Sequence, residues 1–299
     1  MVSKAPERGT EPEARAEGRR GIKKGLYLLP SAFTAANIGM GYYAVMGALR
    51  GFQLLDGGTE VDLLRATAHF DNASRAIGWA ILFDTLDGRI ARLTKTTTEI
   101  GVQFDSIADV LTFGIAPAVL IYAWGYGSVF MDGSGIHKLG WFLSFMFLMC
   151  GAFRLARFNV QAMRPRTLAE GIAKVDKKNF VGLPIPAAAG LLAAIVHFAP
   201  TPLLSYGNGM APLYGGLMMA LVAILATLMV SNFRYSSFKT VGAGGRSTTK
   251  AMVLIAAVGM LVWLYSRYVL LIIVSTYVLH GLVSRLASFF RPRTEPENS

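Results

Sequence analysis

Residues 179–233 read NFVGLPIPAAAGLLAAIVHFAPTPLLSYGNGMAPLYGGLMMALVAILATLMVSNF, and none of them is Asp, Glu, Lys or Arg. One transmembrane helix needs about 20 apolar residues, so this stretch is long enough for two spans. Soluble domains, in which about 25% of residues are charged, do not sustain uncharged runs of this length. The stretch therefore predicts a helical membrane protein.

The rest of the chain repeats this pattern. Of its 299 residues, 53% are hydrophobic and only 16% are charged. Three further uncharged runs cover residues 26–49, 110–131 and 139–153. We therefore predict an all-α, polytopic bundle of about eight transmembrane helices. The expected spans are approximately 26–49, 74–93, 100–124, 138–158, 181–198, 212–231, 251–266 and 268–288, with the last two forming a tight hairpin around Arg267.

Composition divides the chain into four predicted segments. Residues 1–24 are charged and poor in large apolar residues, which predicts a disordered N-terminal segment on the cytoplasmic side. The membrane core is expected over residues 25–232 and a C-terminal transmembrane hairpin over 233–290. A polar tail, 291–299, follows.

The positive charge indicates how the chain is oriented. The net charge is +11, but Lys and Arg fall in short loops between apolar runs, which favours the membrane over nucleic acid as the partner. Basic segments alternate along the chain with segments that contain few or no basic residues. The positive-inside rule then places both termini in the cytoplasm. The basic segments are 1–24, 89–95, 159–178, 233–250 and 284–293.

Four acids stand at the facing ends of the second and third spans. Residues 83–92 read FDTLDGRIAR and residues 101–109 read GVQFDSIAD. Acids three or four residues apart share one face of a helix, and the short connection makes the two helices antiparallel neighbours. The loop charges place this end of both helices on the cytoplasmic side. We therefore expect Asp84, Asp87, Asp105 and Asp109 to converge there.

Convergent carboxylates within a membrane require a compensating cation. One acid in a span costs roughly 2.5–3.5 kcal/mol, so four cost on the order of 10 kcal/mol if nothing pairs with them. Oxygen ligands without His or Cys suit Mg²⁺, Mn²⁺ or Ca²⁺. Two metal ions held by shared carboxylates commonly assist displacement at phosphorus. The alternative, ordinary helix-end acids paired with arginines, accounts for one such acid but poorly for four at these spacings.

Small residues and an arginine accompany these acids. Gly88 and Gly101 each remove a side chain within about one turn of an acid, and Ala91 is also small, which lets a bulky ligand approach the backbone. Arg92 lies one turn beyond Gly88 and offers a forked donor for a phosphate. The single cysteine, Cys150, excludes a disulfide framework and a cysteine metal site.

Residues 84–109 follow the pattern D-x-x-D-G-x-x-A-R-x8-G-x3-D-x3-D, which resembles the signature of the CDP-alcohol phosphotransferase family. The resemblance implies a six-helix membrane core that dimerises, with a site for Mg²⁺ or Mn²⁺, expected to be two ions, open to the cytoplasm. It implies that the metal is held by Asp84, Asp87 and Asp105, with Asp109 completing the site and acting as general base. It also implies a CDP-lipid pocket lined by Gly88, Ala91 and Arg92.

Three further stretches bear on the alcohol that accepts the transferred group. LPSAFTAAN (29–37), FGIAPA (113–118) with FRLARFNV (153–160), and GLPIPAAAG (182–190) are similar to those of the phosphatidylserine synthases in that family. Ser31 stands where many of those relatives have Asn. The resemblance implies transfer of a phosphatidyl group from CDP-diacylglycerol to L-serine, with phosphatidylserine and CMP as products, by an enzyme of the inner or cell membrane. Glycerol 3-phosphate, inositol phosphate and choline stay open as alternative acceptors.

Arginines and an asparagine at the end of the fourth span suit an amino-acid acceptor. A serine carboxylate needs a cation, and Arg154 and Arg157 lie three apart on one helical face. Asn159 adds a hydrogen-bonding group beside them. The alternative is that the two arginines anchor the helix to lipid headgroups.

Two residues of the first span are further candidates for the CDP-lipid pocket. Thr34 and Asn37 offer hydrogen bonds to the cytidine or the diphosphate, or alternatively between helices. The histidines are scattered, and we expect them to be structural or exposed. A cation transporter is the remaining alternative function, but it predicts acids spread along a path through the bilayer.

Overall fold

The computed structural model describes residues 11–94, 99–163, 179–231, 234–236 and 248–290. Within these ranges the chain forms eight α-helices joined by short turns. Tight 3₁₀ turns at Leu55–Gly57 and Leu203–Tyr206 precede α2 and α7. The helices are α1 (Glu11–Leu54), α2 (Glu60–Thr94), α3 (Glu99–Asp109), α4 (Ala116–Ile121), α5 (Gly135–Met163), α6 (Ile185–Phe198), α7 (Gly207–Val230) and α8 (Thr248–Phe290).

Four helical stretches are long and apolar enough to cross a membrane. Three of them coincide with the predicted third, fourth and sixth spans, and the fourth lies within α8. The shorter α6 is also apolar. These stretches confirm a helical membrane protein, whereas the number of eight spans and the side on which the termini lie stay predictions. The four are Ile100–Tyr126, Gly135–Val160, Leu203–Val230 and Ala256–Gly281.

The structure departs from the prediction at the N-terminal end and partly matches it at the C-terminal end. Residues 11–24, predicted to be disordered, form the first turns of α1, in keeping with the strong helix propensity of Ala, Glu and Arg in this segment. Residues 1–10 and 291–299 lie outside the described ranges. At the C-terminal end, α8 leaves helical conformation at Tyr265 (φ −133°, ψ 43°). This break falls where the predicted seventh and eighth spans meet.

A short β-ladder is an addition to the predicted all-α chain. Strand β1 (Asn179–Val181) pairs antiparallel with β2 (Arg234–Ser236), so the start of α6 is tied to the end of α7. Gly182 follows β1 with φ +84°, a conformation that L side chains rarely adopt. A Cβ atom there would also collide with the carbonyl oxygen of Met229, so this position requires glycine.

Small residues let the first two helices approach closely. α1 packs along α2, α2 against α6, α6 against α8, and α5 against α7. Membrane helices associate through such small-residue interfaces because lipid removes the hydrophobic drive between them. The buried alanines on these two helices are Ala44, Ala48, Ala66, Ala73, Ala76 and Ala80.

The helical stretch after α3 is wound more loosely than an α-helix. A π-helical turn, Val110–Ile115, begins directly after Asp109, and a second one covers Tyr122–Tyr126. Such turns occur frequently at functional sites. α1 approaches the first of them closely, since a Cβ on Gly41 would lie 2.5 Å from Thr112 Oγ1. α1 therefore borders the segment that carries Asp109.

A buried polar cluster joins three helices at the end of α6. His197 Nδ1 lies 2.5 Å from Asp71 Oδ1 on α2, and His197 Nε2 lies 2.9 Å from Ser266 Oγ on α8. Asp71 Oδ2 also pairs with Arg75 at 3.2 Å. Ser266 directly follows the break at Tyr265. We refer to Asp71, His197 and Ser266 as the His197 cluster; it ties α8 to the core.

Candidate active site

Three of the four predicted acids come together between α2 and α3. Asp84 lies on α2, and Asp105 and Asp109 lie on α3. One carboxylate oxygen from each side chain lies within 4.8 Å of the others, and all three residues are half-buried. We call Asp84, Asp105 and Asp109 the three-acid group. Its oxygen-only donor set is the kind that Mg²⁺ and Mn²⁺ prefer.

The fourth acid, Asp87, lies beside this group and is held by α1. It is 5% exposed, and its Oδ2 accepts a hydrogen bond from Thr34 Oγ1. Its Oδ1 is buried and makes no hydrogen bond with any described residue. The charge of Asp87 acts on the carboxylates of Asp84 and Asp105, so it belongs to the same electrostatic environment.

Buried polar atoms without a hydrogen-bond partner concentrate around these acids. Within the described ranges there are six such side-chain atoms, and five of them belong to Asn37, Asp87, Asp109 and Arg154; the sixth is Ser128 Oγ. Asn37 is only 1% exposed, yet neither Nδ2 nor Oδ1 of its side-chain amide has a described hydrogen-bond partner. Native proteins pair nearly all buried polar groups, because leaving one unsatisfied costs about 1–3 kcal/mol. The arrangement therefore fits a site that is completed by a metal ion and a polar ligand.

Asn37 borders the π-helical turn that follows Asp109. Thr112 Oγ1, in that turn, donates a hydrogen bond of 3.2 Å to the main-chain carbonyl oxygen of Asn37. Thr34 lies one helical turn before Asn37 on α1, and both side chains are buried. The structure thus places both α1 candidates next to the acids, with Thr34 bonded to Asp87.

The two arginines of α5 have different surroundings. Arg154 is 8% exposed, its positive charge interacts with the carboxylate of Asp109, and the neutral phenol of Tyr277 on α8 lies nearby. Arg157 donates hydrogen bonds of 3.4 and 3.5 Å to the carbonyl oxygens of Val230 and Ser231 at the end of α7. Arg154 therefore faces the acids, whereas Arg157 caps the neighbouring helix.

Asn159 links α5 to α3. Its Nδ2 donates a 2.8 Å hydrogen bond to Ser106 Oγ, and Ser106 directly follows Asp105. Sequence reasoning did not single out Ser106, although its position next to Asp105 is a usable signal. It also missed Tyr277, for which no motif in α8 gives a signal.

The predicted CDP-pocket residues lie on the same two helices as the acids. Gly88 and Ala91 belong to α2, and Gly101 lies in the first turn of α3; both glycines are exposed. The backbone of Arg92 belongs to α2, but its side chain lies outside the described part of the structure. The roles of these four residues in binding a CDP-lipid stay predictions.

Comparison with known proteins identifies a family and several relatives. The family described as CDP-alcohol phosphatidyltransferase matches residues 27–228. A Helicobacter pylori protein named CDP-diacylglycerol–serine O-phosphatidyltransferase is 31% identical over 258 residues, which cover 86% of this chain and 91% of the relative. Proteins of the same name from Methanocaldococcus jannaschii and Saccharomyces cerevisiae are 31% and 35% identical. Those matches cover 56% and 52% of this chain, and 65% and 52% of the relatives.

Proposed function

Because this chain belongs to the CDP-alcohol phosphatidyltransferase family, we propose that it transfers the phosphatidyl group of CDP-diacylglycerol to the hydroxyl of L-serine. The products are phosphatidylserine and CMP. The relatives named above support serine as the acceptor. The main structural support for this proposal is the three-acid group, in which carboxylate oxygens from α2 and α3 lie within 4.8 Å of one another.

The acids would hold Mg²⁺ or Mn²⁺, and we propose two ions. Asp84, Asp105 and Asp109 would be ligands, and Asp87 would complete the site through its buried Oδ1. Bound there, the ions would neutralise charge on the diphosphate and make CMP a better leaving group. Without such cations, these carboxylates would repel one another in surroundings that screen charge more weakly than water does.

Asp109 is the proposed general base. The serine hydroxyl oxygen attacks the β-phosphorus, the bond from that phosphorus to the CMP oxygen breaks, and the hydroxyl proton passes to the Asp109 carboxylate. Asp109 Oδ1 is buried and makes no hydrogen bond with a described residue, so it is available to accept that proton. Direct in-line displacement requires no covalent enzyme intermediate.

Arg154 is the proposed partner of the serine carboxylate. Its guanidinium lies close enough to interact with Asp109, and its Nε is buried without a partner among the described residues. A planar guanidinium can grip a carboxylate with two parallel hydrogen bonds. We assign Arg157 and Asn159 supporting positions at the edge of this pocket, because their side chains contact α7 and α3.

We place the site on the cytoplasmic face of an inner or cell membrane, with both termini on the same side. The alternation of basic segments along the chain supports this orientation. We further propose eight spans, with a C-terminal pair added to a six-helix core, and a homodimer, as the family resemblance implies.

The acceptor is tested by measuring CMP release from detergent-purified protein supplied with CDP-diacylglycerol and Mg²⁺ or Mn²⁺. The alcohols compared are L-serine, glycerol 3-phosphate, inositol phosphate and choline. We expect L-serine to give the fastest release. Faster release with another alcohol would show that this alcohol, and not serine, is the acceptor. Ion flux in proteoliposomes that lack CDP-lipid would favour the cation-transport alternative.

A further inference from the structure

One hydrogen bond connects the acids to a helix that contributes no acid to them. Thr34 on α1 and Asp87 on α2 are 53 residues apart in sequence, and each is only 5% exposed. The carboxylate can only accept, so the Thr34 hydroxyl is the donor. The bond therefore links α1 to an acid of the site from inside the helix bundle.

This hydrogen bond determines how the Asp87 carboxylate is turned. With Oδ2 occupied by Thr34, the remaining oxygen, Oδ1, is the one left buried and without a described hydrogen-bond partner. The charge of Asp87 already acts on Asp84 and Asp105. Any other orientation of the carboxylate plane, or another rotamer of the side chain, would move the accepting oxygen away from Thr34 and break the bond; a half-turn only exchanges two equivalent oxygens.

We propose that Thr34 is a positioning residue for the metal site, which orients Asp87 so that its Oδ1 faces the position of a bound divalent cation. This inference rests on the proposed function, because it requires that the acids bind metal. It assigns Thr34 to the metal site, whereas the sequence suggested the CDP-lipid pocket. Groups that orient metal ligands typically contribute 10- to 100-fold to metal affinity.

A purely structural role for the same bond predicts a different result. Hydrogen bonds between membrane helices also stabilise the fold. If Thr34 only joins α1 to α2, its loss lowers thermal stability and leaves metal affinity unchanged. Metal affinity measured without substrate therefore separates the two roles.

The experiment compares Mn²⁺ binding to full-length wild-type protein, Thr34→Val and Thr34→Ser by electron paramagnetic resonance, in the absence of CDP-lipid. Val keeps the shape of Thr but lacks the hydroxyl, and Ser keeps the hydroxyl. We expect Thr34→Val to weaken Mn²⁺ binding about 10- to 100-fold and Thr34→Ser to stay close to wild type. Thr34→Ala, which also lacks the hydroxyl, replaces Thr34→Val if that variant does not fold.

Thr112→Val is the matched control. Thr112 is also a buried threonine near the acids, but its hydroxyl donates to the backbone carbonyl of Asn37. We expect this variant to bind Mn²⁺ as wild type does. Wild-type affinity in Thr34→Val, or equal weakening in Thr34→Ser, would overturn the positioning role. A wild-type protein that binds no Mn²⁺ would instead overturn the proposed metal site, and the inference with it.

Discussion

α2 carries buried carboxylates at two places, and their surroundings are opposite. Asp71 and Asp84 are 13 positions apart, which corresponds to about 20 Å along the helix. At the first place, both oxygens of Asp71 have partners, His197 and Arg75. At the second, three acids face one another, and Asp87 Oδ1 and Asp109 Oδ1 have no described partner. The chain completes the first cluster by itself but leaves the second incomplete.

The difference shows how a buried polar cluster can be assigned to folding or to function. Burying a charge is costly unless it is paired, so a carboxylate within a membrane protein needs a positive or hydrogen-bonding partner. In the His197 cluster that partner comes from another helix, and the result is a tertiary contact. In the three-acid group most of the compensation must come from a ligand, and the result is a binding site.

The largest expected effect follows from Asp109→Asn. The amide keeps an oxygen that can contact metal but cannot accept the serine proton, so turnover should fall by about 10²- to 10⁴-fold. Binding of CDP-diacylglycerol should largely persist, which a lipid-binding assay would show beside the measured kcat. Turnover above about 1% of wild type would place the general base on another residue.

Replacing the two arginines of α5 separates substrate binding from helix capping. A hydrogen bond to a charged group contributes roughly 1.5–3 kcal/mol, so Arg154→Ala should raise the KM for serine about 10- to 150-fold with little change in that for CDP-diacylglycerol. Arg154→Lys should recover only part of this loss, because lysine lacks the planar fork.

Arg157→Ala is the matched comparison for Arg154→Ala. Because Arg157 donates to carbonyls at the end of α7, its loss should mainly lower thermal stability and raise the serine KM far less than Arg154→Ala does. Steady-state kinetics and unfolding curves of the variants distinguish these outcomes. An unchanged serine KM in Arg154→Ala would show that the acceptor pocket lies elsewhere.

Among the variants of the two polar clusters, the smallest effect is expected in the His197 cluster. Ser266→Ala removes one hydrogen bond between α8 and α6, which should lower the free energy of unfolding by about 0.6 kcal/mol and at most about 1.7 kcal/mol. The kinetic constants, measured well below the unfolding temperature, should stay at wild-type values. A large loss of turnover in Ser266→Ala, with unchanged stability, would show that the His197 cluster takes part in catalysis.

Thr227→Ala provides the control for Ser266→Ala. The Thr227 hydroxyl donates to the Ala223 carbonyl oxygen within its own helix, α7, at an exposed position. Its removal should therefore change the unfolding temperature less than Ser266→Ala does.

The sequence predicted the convergence of acids because all the required information is local. Asp84 and Asp87 share one helical face, Asp105 and Asp109 share another, and only a short connection separates the helices. The helical spans were predictable for a related reason, since each is a continuous apolar run. The full lengths of α1 and α2 were not predictable, because their terminal turns are polar and are helical through packing and helix propensity, without an apolar run to mark them.

Contacts between residues far apart in the chain could not be predicted from the sequence. The Thr34–Asp87 and His197–Asp71 bonds join residues 53 and 126 positions apart. Arg154 and Arg157 could not be told apart from their spacing, since which of them faces the acids depends on where α7 ends. The π-helical turn after Asp109 also leaves no pattern in the residues that form it.

If the three-acid group works only with a bound cation, chelation of that cation should stop the reaction. Serine-dependent CMP release by the purified wild-type protein would be measured in excess EDTA and again after Mg²⁺ or Mn²⁺ is returned, with Asp84→Ala and Asp105→Ala alongside. We predict that EDTA abolishes release, that metal restores it in the wild type, and that metal does not restore it in either variant. Full activity of the wild-type protein in excess EDTA would show that the three-acid group works without a bound cation.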